Sequence, residues 1–177
     1  MNRRQWLGGG AAALAAGALG AWVASKHYSL AQADQAATEL LLALDVPDAE
    51  GQPHPLAPWR GHPLLVNFWA TWCPPCVDEM PELSGLQREF SATPLKVVGI
   101  GIDSAANIRR FSQKSPMSYP LLVAGASGSE LARRFGNGSG ALPFTVVIDH
   151  QGRVRRRILG RFELASLRAS VKDVLRT

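Results

Sequence analysis

The stretch Leu64-Leu65-Val66-Asn67-Phe68-Trp69-Ala70-Thr71-Trp72-Cys73-Pro74-Pro75-Cys76 decides the fold. Leu64 to Trp69 is an apolar run broken only by Asn67, the pattern of a central strand buried on both faces. Cys73 follows after a short link, and the spacing predicts a helix from about Pro74 to Phe90. Pro74 and Pro75 are tolerated in its first turn, where backbone N–H groups have no intrahelical partner. Leu83, Leu86 and Phe90 recur at helical spacing, and Pro81, deeper in the helix, is expected to kink it.

Two cysteines three residues apart close a disulfide only where the backbone turns between them. The first turn of a helix supplies that turn. It also places Cys73 beside unpaired N–H groups and the positive end of the helix dipole, which lowers a thiol pKa. Cys73 is therefore the expected nucleophile and Cys76 the resolving thiol: Cys73 attacks a disulfide, a mixed disulfide forms, and Cys76 releases it. The competing readings are weak. Zinc takes four ligands, and the chain offers no third cysteine and only scattered histidines, His27, His54, His62 and His150. A purely structural bridge around so short a loop would stabilise little. No metal and no cofactor beyond the redox-active pair are expected.

Outward from this centre the chain alternates strands and helices. Before it, residues 34–39 read as a linker, Leu40 to Leu44 as a first strand, and Pro47 to Pro58 as a turn-rich stretch centred on Asp48-Ala49-Glu50-Gly51. After it come a buried strand Leu95 to Ile102, a helix Ala105 to Lys114 capped by Ser104, a short strand Leu121 to Val123 and a short helix Ser129 to Phe135. Gly136 to Gly140 reads as a mobile loop without the lysine or the strand–loop–helix context of a phosphate site. Thr145 to Asp149 and Val154 to Leu159 read as a hairpin, and Glu163 to Arg176 as a terminal amphipathic helix. The expected order is β-β-β-α-β-α-β-α-β-β-α, an α/β mixed sheet with helices on both faces.

The bulk numbers suit one domain with an appendage. Of 177 residues 46% are hydrophobic, and five Trp and six Phe can anchor a core without a cysteine staple. The net charge of +5 is concentrated at the start, where Arg3, Arg4 and Lys26 precede any acid. Beyond residue 33 the charge falls to +2, and no aromatic-interleaved basic patch remains to suggest nucleic acid. Arg153, Arg155, Arg156 and Arg157 read as the solvated face of a strand, with a docking patch for an acidic partner as the alternative.

Residues 1–33 read as an export signal, and residues 34–177 as the functional domain. Arg3 and Arg4 open it, Trp6 to Ala24 is uncharged, and Ala31-Gln32-Ala33 suits a signal peptidase. Arg3-Arg4-Gln5-Trp6-Leu7 also approaches a twin-arginine signal, although Asn2, Trp6 and Gly8 depart from its pattern. A retained membrane tether through residues 6–24 is the alternative; its five glycines make a poor spanning helix. Either way the domain is placed in the periplasm, an oxidising compartment where a Cys pair can cycle.

The segment Asn67-Phe68-Trp69-Ala70-Thr71-Trp72-Cys73-Pro74-Pro75-Cys76-Val77-Asp78-Glu79-Met80-Pro81 resembles the active-site segment of the TlpA/ResA branch of the thioredoxin superfamily. The resemblance continues as a compatible order of elements over roughly residues 40–175. It implies a thioredoxin-like fold and a reductase that exchanges the Cys73–Cys76 dithiol with disulfides of periplasmic proteins, in many relatives during cytochrome c maturation. Such an enzyme needs a membrane protein that supplies electrons.

By the same resemblance, Pro143 in Ala141-Leu142-Pro143 is the cis-proline facing the disulfide, and Glu79 tunes the cysteines or moves their protons. Trp72, Pro74 and Pro75 belong to the docking surface. Asn67 stands where thioredoxin has a buried Asp, and an amide cannot take that proton. Phe144 replaces the family's usual Thr and is expected to narrow the substrate groove or add apolar contact to it. The alternative activities on this fold are a thiol peroxidase, whose cysteines are spaced differently, and a copper-delivery protein. The latter needs a wider Cys spacing and a late-loop His that residues 124–143 lack.

Overall fold

In the computed structural model the chain divides into two units, Met1–Ala33 and Asp34–Thr177. The structure describes residues 3–176, with side chains from residue 20 onward except those of 23, 24 and 27. The expected signal or tether, Arg3 and Arg4 with most of Trp6 to Ala24, lies outside the described side chains. Among the described residues no helix is long and apolar enough to cross a membrane.

The first helix, α1, spans Arg3–Leu42. This corrects the expected linker at 34–39 and the strand at Leu40 to Leu44. The physical reason is periodicity: Ala37, Thr38, Leu41 and Leu42 are all buried, and their i, i+1, i+4, i+5 spacing makes one helical stripe. Of the three strands expected before the redox helix only Leu64–Trp69 forms. The stretch between contributes isolated bridges, Asp45 to Pro55 and Asp48 to Leu122. The turn at Asp48 forms as expected, its Oδ1 accepting from the Glu50 and Gln52 backbones while Gly51 takes φ +83°.

Five strands make one sheet: β1 (Leu64–Trp69), β2 (Lys96–Gly101), β3 (Leu121–Val123), β4 (Phe144–Ile148) and β5 (Val154–Leu159), in the order β3-β2-β1-β4-β5. β1, β2 and β3 run parallel; β4 pairs antiparallel with β1 and with β5. The helices are α2 (Pro74–Glu89), α3 (Ala105–Lys114), α4 (Ala126–Arg134) and α5 (Leu164–Val174). Ser104 caps α3 by accepting from Asn107 N, and Glu163 caps α5 through Ala165 N and Ser166 N.

The central strand is buried at every position, so its period-2 alternation feeds two cores. Leu65 and Trp69 face the core built with α2, α3 and α5, which also holds Cys73 and Cys76. Leu64, Val66 and Phe68 face the other, built with the end of α1 and with α4. The same alternation on β4 sends Val147 to the first core and Phe144, Val146 and Ile148 to the second.

The arginine run is committed internally. Arg153 and Arg155 pair with the buried Asp149 at 3.0 and 3.7 Å. Arg156 donates to Ser166 O and Ser170 Oγ on α5, and Arg157 donates to Phe135 O and pairs with Asp34.

Candidate active site

Cys73 is the N-cap of α2, and its φ of −104° and ψ of 95° turn the chain from the strand into the helix. Cys76 N and Val77 N both donate to Cys73 O, at 3.0 and 3.2 Å. This turn brings the Cα atoms within 5.3 Å, and the pair is closed as a disulfide. Cys73 is 5% exposed and Cys76 fully buried, so a partner can reach only the first sulfur. Trp72, 66% exposed, and the exposed Pro74 and Pro75 surround it. Pro74 and Pro75 occupy N1 and N2 of the helix. Two of the N–H groups that would point at a Cys73 thiolate are therefore missing, although the dipole remains.

The link into this turn is tied down from β2. Asp103 accepts from the hydroxyl and the backbone N–H of Thr71, and its other oxygen accepts from Ser104 N and Asn107 Nδ2 at 2.7 Å each. Burial raises the Asp103 pKa, but these hydrogen bonds outweigh it and hold the carboxyl below its ordinary value. Asp103 carries no motif that marks it beforehand, and Thr71 stands in the Asn67–Pro81 segment without a role of its own.

Beneath the disulfide, one row of residues crosses the sheet. Asn67 on β1 stands opposite Thr145 on β4 and Gly99 on β2. All three lie on the α2 side, because each is one step out of phase with the residues of the second core. Asn67 Nδ2 donates to Glu79 Oε1 at 2.8 Å and to Thr145 Oγ1 at 3.0 Å. Asn67, Glu79 and Thr145 are all wholly buried.

Burial is the main influence on Glu79 and pushes its carboxyl from the ordinary 4.5 up to about 7. The Asn67 amide, the Phe162 backbone and the charge of Arg161 oppose the rise; Glu82 adds to it. Glu79 Oε2 makes no hydrogen bond of ordinary geometry within the protein. The sequence flagged Glu79 and Asn67. It did not flag Thr145, whose signal is its place two residues after Pro143 and in alternation with Phe144 on β4.

The Leu142–Pro143 peptide is cis, as the resemblance implied, and Pro143 is buried. The expectation for Phe144 is corrected. Its ring is 2% exposed and packs on Phe68 with centroids 5.7 Å apart, in the core on the opposite face from the cysteines. A bulky residue here fills the second core and does not narrow a groove over the disulfide. The loop Gly136 to Gly140 is pinned by the buried Asn137, whose Nδ2 donates to Ala141 O at 2.9 Å. Among the described residues no cluster of His, Cys, Asp or Glu could hold a metal ion.

The sequence profile of the AhpC/TSA family matches residues 34–157. The chain belongs to the AhpC/TSA family. It is 26% identical over 128 residues to the thiol-disulfide oxidoreductase ResA of Geobacillus thermodenitrificans, covering 72% of this chain and 71% of that protein. Among solved structures it resembles a thioredoxin-related protein from Neisseria meningitidis serogroup B, 33% identical, with TM-score 0.66, over 75% of this chain and 99% of the other. A thiol:disulfide interchange protein of the thioredoxin family from Chlorobium tepidum is 30% identical with TM-score 0.63, over 73% and 90% of the two chains. Within the AhpC/TSA family, then, this member has the thioredoxin-like fold and is a ResA-like thiol-disulfide oxidoreductase, working through its cysteine pair.

Proposed function

We propose that the chain is an exported, periplasmic reductase of protein disulfides, with Cys73 as nucleophile, Cys76 as resolving thiol and Glu79 as the group that takes and returns the Cys76 proton. The observation that carries this is the Glu79 carboxyl, wholly buried on the same helix as Cys76 and three residues beyond it, where burial pushes its pKa up to about 7. The Cys73 thiolate attacks one sulfur of the substrate disulfide; that S–S bond breaks and the departing thiolate takes a proton from solvent. Glu79 then accepts the Cys76 proton. The Cys76 thiolate attacks Cys73, the mixed disulfide breaks, and the second substrate thiolate leaves and is protonated. Two electrons pass from the pair to the substrate, and the pair ends as the disulfide. A membrane protein that donates electrons restores it.

The reducing direction is supported by Pro74 and Pro75. An oxidising pair draws its strength from a stabilised thiolate in the reduced form. Here two first-turn donors are absent, so the thiolate is less stabilised and the disulfide comparatively favoured. The docking face combines exposed Trp72, Pro74 and Pro75 with the backbone around cis-Pro143, which suits an extended segment of a disulfide-bearing protein such as an apocytochrome c. The charged start and uncharged stretch of residues 1–33 support export, with a cleaved signal or a retained tether. The Cys-x-x-Cys spacing disfavours peroxide as the substrate. Cys76→Ser in the full chain tests the reading: a disulfide-bearing protein remains covalently on Cys73. Rapid peroxide turnover with no trapped species would contradict it.

A further inference from the structure

Cys73 is presented by a tight turn. Its backbone N–H donates to Ala70 O at 3.2 Å, so Ala70 to Cys73 form a turn with Thr71 and Trp72 at its corners. Trp72, the outer corner, is 66% exposed. Thr71, the other corner, is half-buried and is held by both its polar donors. Its backbone N–H donates to Asp103 Oδ2 at 3.3 Å, and its hydroxyl donates to the same oxygen.

The other oxygen of Asp103 is committed to α3. Asp103 Oδ1 accepts from Ser104 N and from Asn107 Nδ2 at 2.7 Å each, and Asn107 Oδ1 accepts in turn from Arg110. Ser104 Oγ accepts from Asn107 N at 3.2 Å, which closes the first turn of the helix beside the carboxylate. The strands below are joined in the same place. Ile102 N donates to Trp69 O at 2.8 Å, one step past the last paired residues of β1 and β2. Gly101 lets α3 come this close: a Cβ there would stand 2.3 Å from Ile108 Cδ1 and 3.0 Å from Leu122 O. Donors from the turn and from α3 therefore converge on one carboxylate. An ionised carboxylate accepts on both oxygens, whereas an amide accepts on one.

We propose that Asp103 is a positioning residue of the exchange reaction: by clasping Thr71 it fixes in advance the turn that sets Trp72 and Cys73 against a docking protein disulfide. The proposal rests on the reading of Trp72 as part of the docking face. Trp72 stands mostly in solvent, so the turn beneath it, rather than packing around its ring, gives it one place. A turn ordered before the encounter need not be ordered by the partner, and binding is tighter by that entropy.

The test is the single-turnover oxidation of the reduced full chain by insulin and by hydroxyethyl disulfide, the second being too small to span a docking face. Asp103→Asn turns an N–H2 group toward either Thr71 or α3 and opens one side of the clasp. The ratio of the insulin rate to the hydroxyethyl disulfide rate should fall about tenfold, the factor that ordering one residue's backbone accounts for. Thr71→Val, which removes only the hydroxyl bond, should lower the ratio about threefold, and Thr71→Ser, which keeps that bond, should restore it. This pair of variants carries the test if Asp103→Asn does not fold. A purely structural role would lower Tm and leave the ratio in place. Trp72→Ala separates the two readings. A ratio that falls in Trp72→Ala but stays native in Asp103→Asn and Thr71→Val overturns this proposal alone. A native ratio in Trp72→Ala overturns the docking reading and this proposal with it.

Discussion

The two faces of the same sheet are built to different rules. On the face toward α1 and α4 the buried strand residues are apolar: Leu64, Val66, Phe68, Val98, Ile100, Leu122, Phe144, Val146 and Ile148. On the face toward α2 the corresponding row carries Gly99, Asn67 and Thr145, with Glu79 lowered onto it. A buried carboxyl costs free energy unless it is paired or neutralised. Both faces bury apolar side chains, but only the α2 face also buries a carboxyl, and on the proposed reading that cost in stability is what places a proton exchanger beside the disulfide.

The largest effect expected from this contrast is loss of exchange in Cys76→Ser, with a stalled mixed disulfide on Cys73 seen on non-reducing gels. Phe68→Ala on the other face should cost about 3 to 5 kcal/mol in denaturant unfolding while exchange per folded molecule is unchanged.

Glu79→Gln should act in the opposite sense on stability. A carboxyl whose pKa is raised by folding contributes stability that is complete below its unfolded value and is lost as pH rises through the folded value. The native chain should therefore lose stability between pH 4.5 and about 7. Glu79→Gln should remove that loss, about 3 kcal/mol above pH 7, and slow the resolving step. Pro75→Ala restores one first-turn N–H and should raise the reduction potential by about 30 mV or less. Thr145→Val should cost about 1 kcal/mol, the value of one buried hydrogen bond.

Much of this organisation is visible in the amino-acid order. The apolar run at Leu64, the Cys spacing and the Ser104 cap are local signals, and β1, α2 and α3 follow from them. The end of α1 is not a local signal. Leu40 to Leu44 suits a strand or a helix, and only the buried partners of Ala37 and Leu41 choose the helix. The place of Phe144 directly after Pro143 suggests the groove, but a strand alternates its faces and the ring goes to the far core. Thr145 enters the site through a pairing 78 residues from Asn67, which a linear reading does not contain.

The measurement that bears most directly on the redox face is the reduction potential of the Cys73–Cys76 couple from pH 5 to 9, in the native chain and in Glu79→Gln. A buried proton exchanger predicts a change of slope near pH 7 in the native chain that is absent from the variant. Superimposable curves would contradict it.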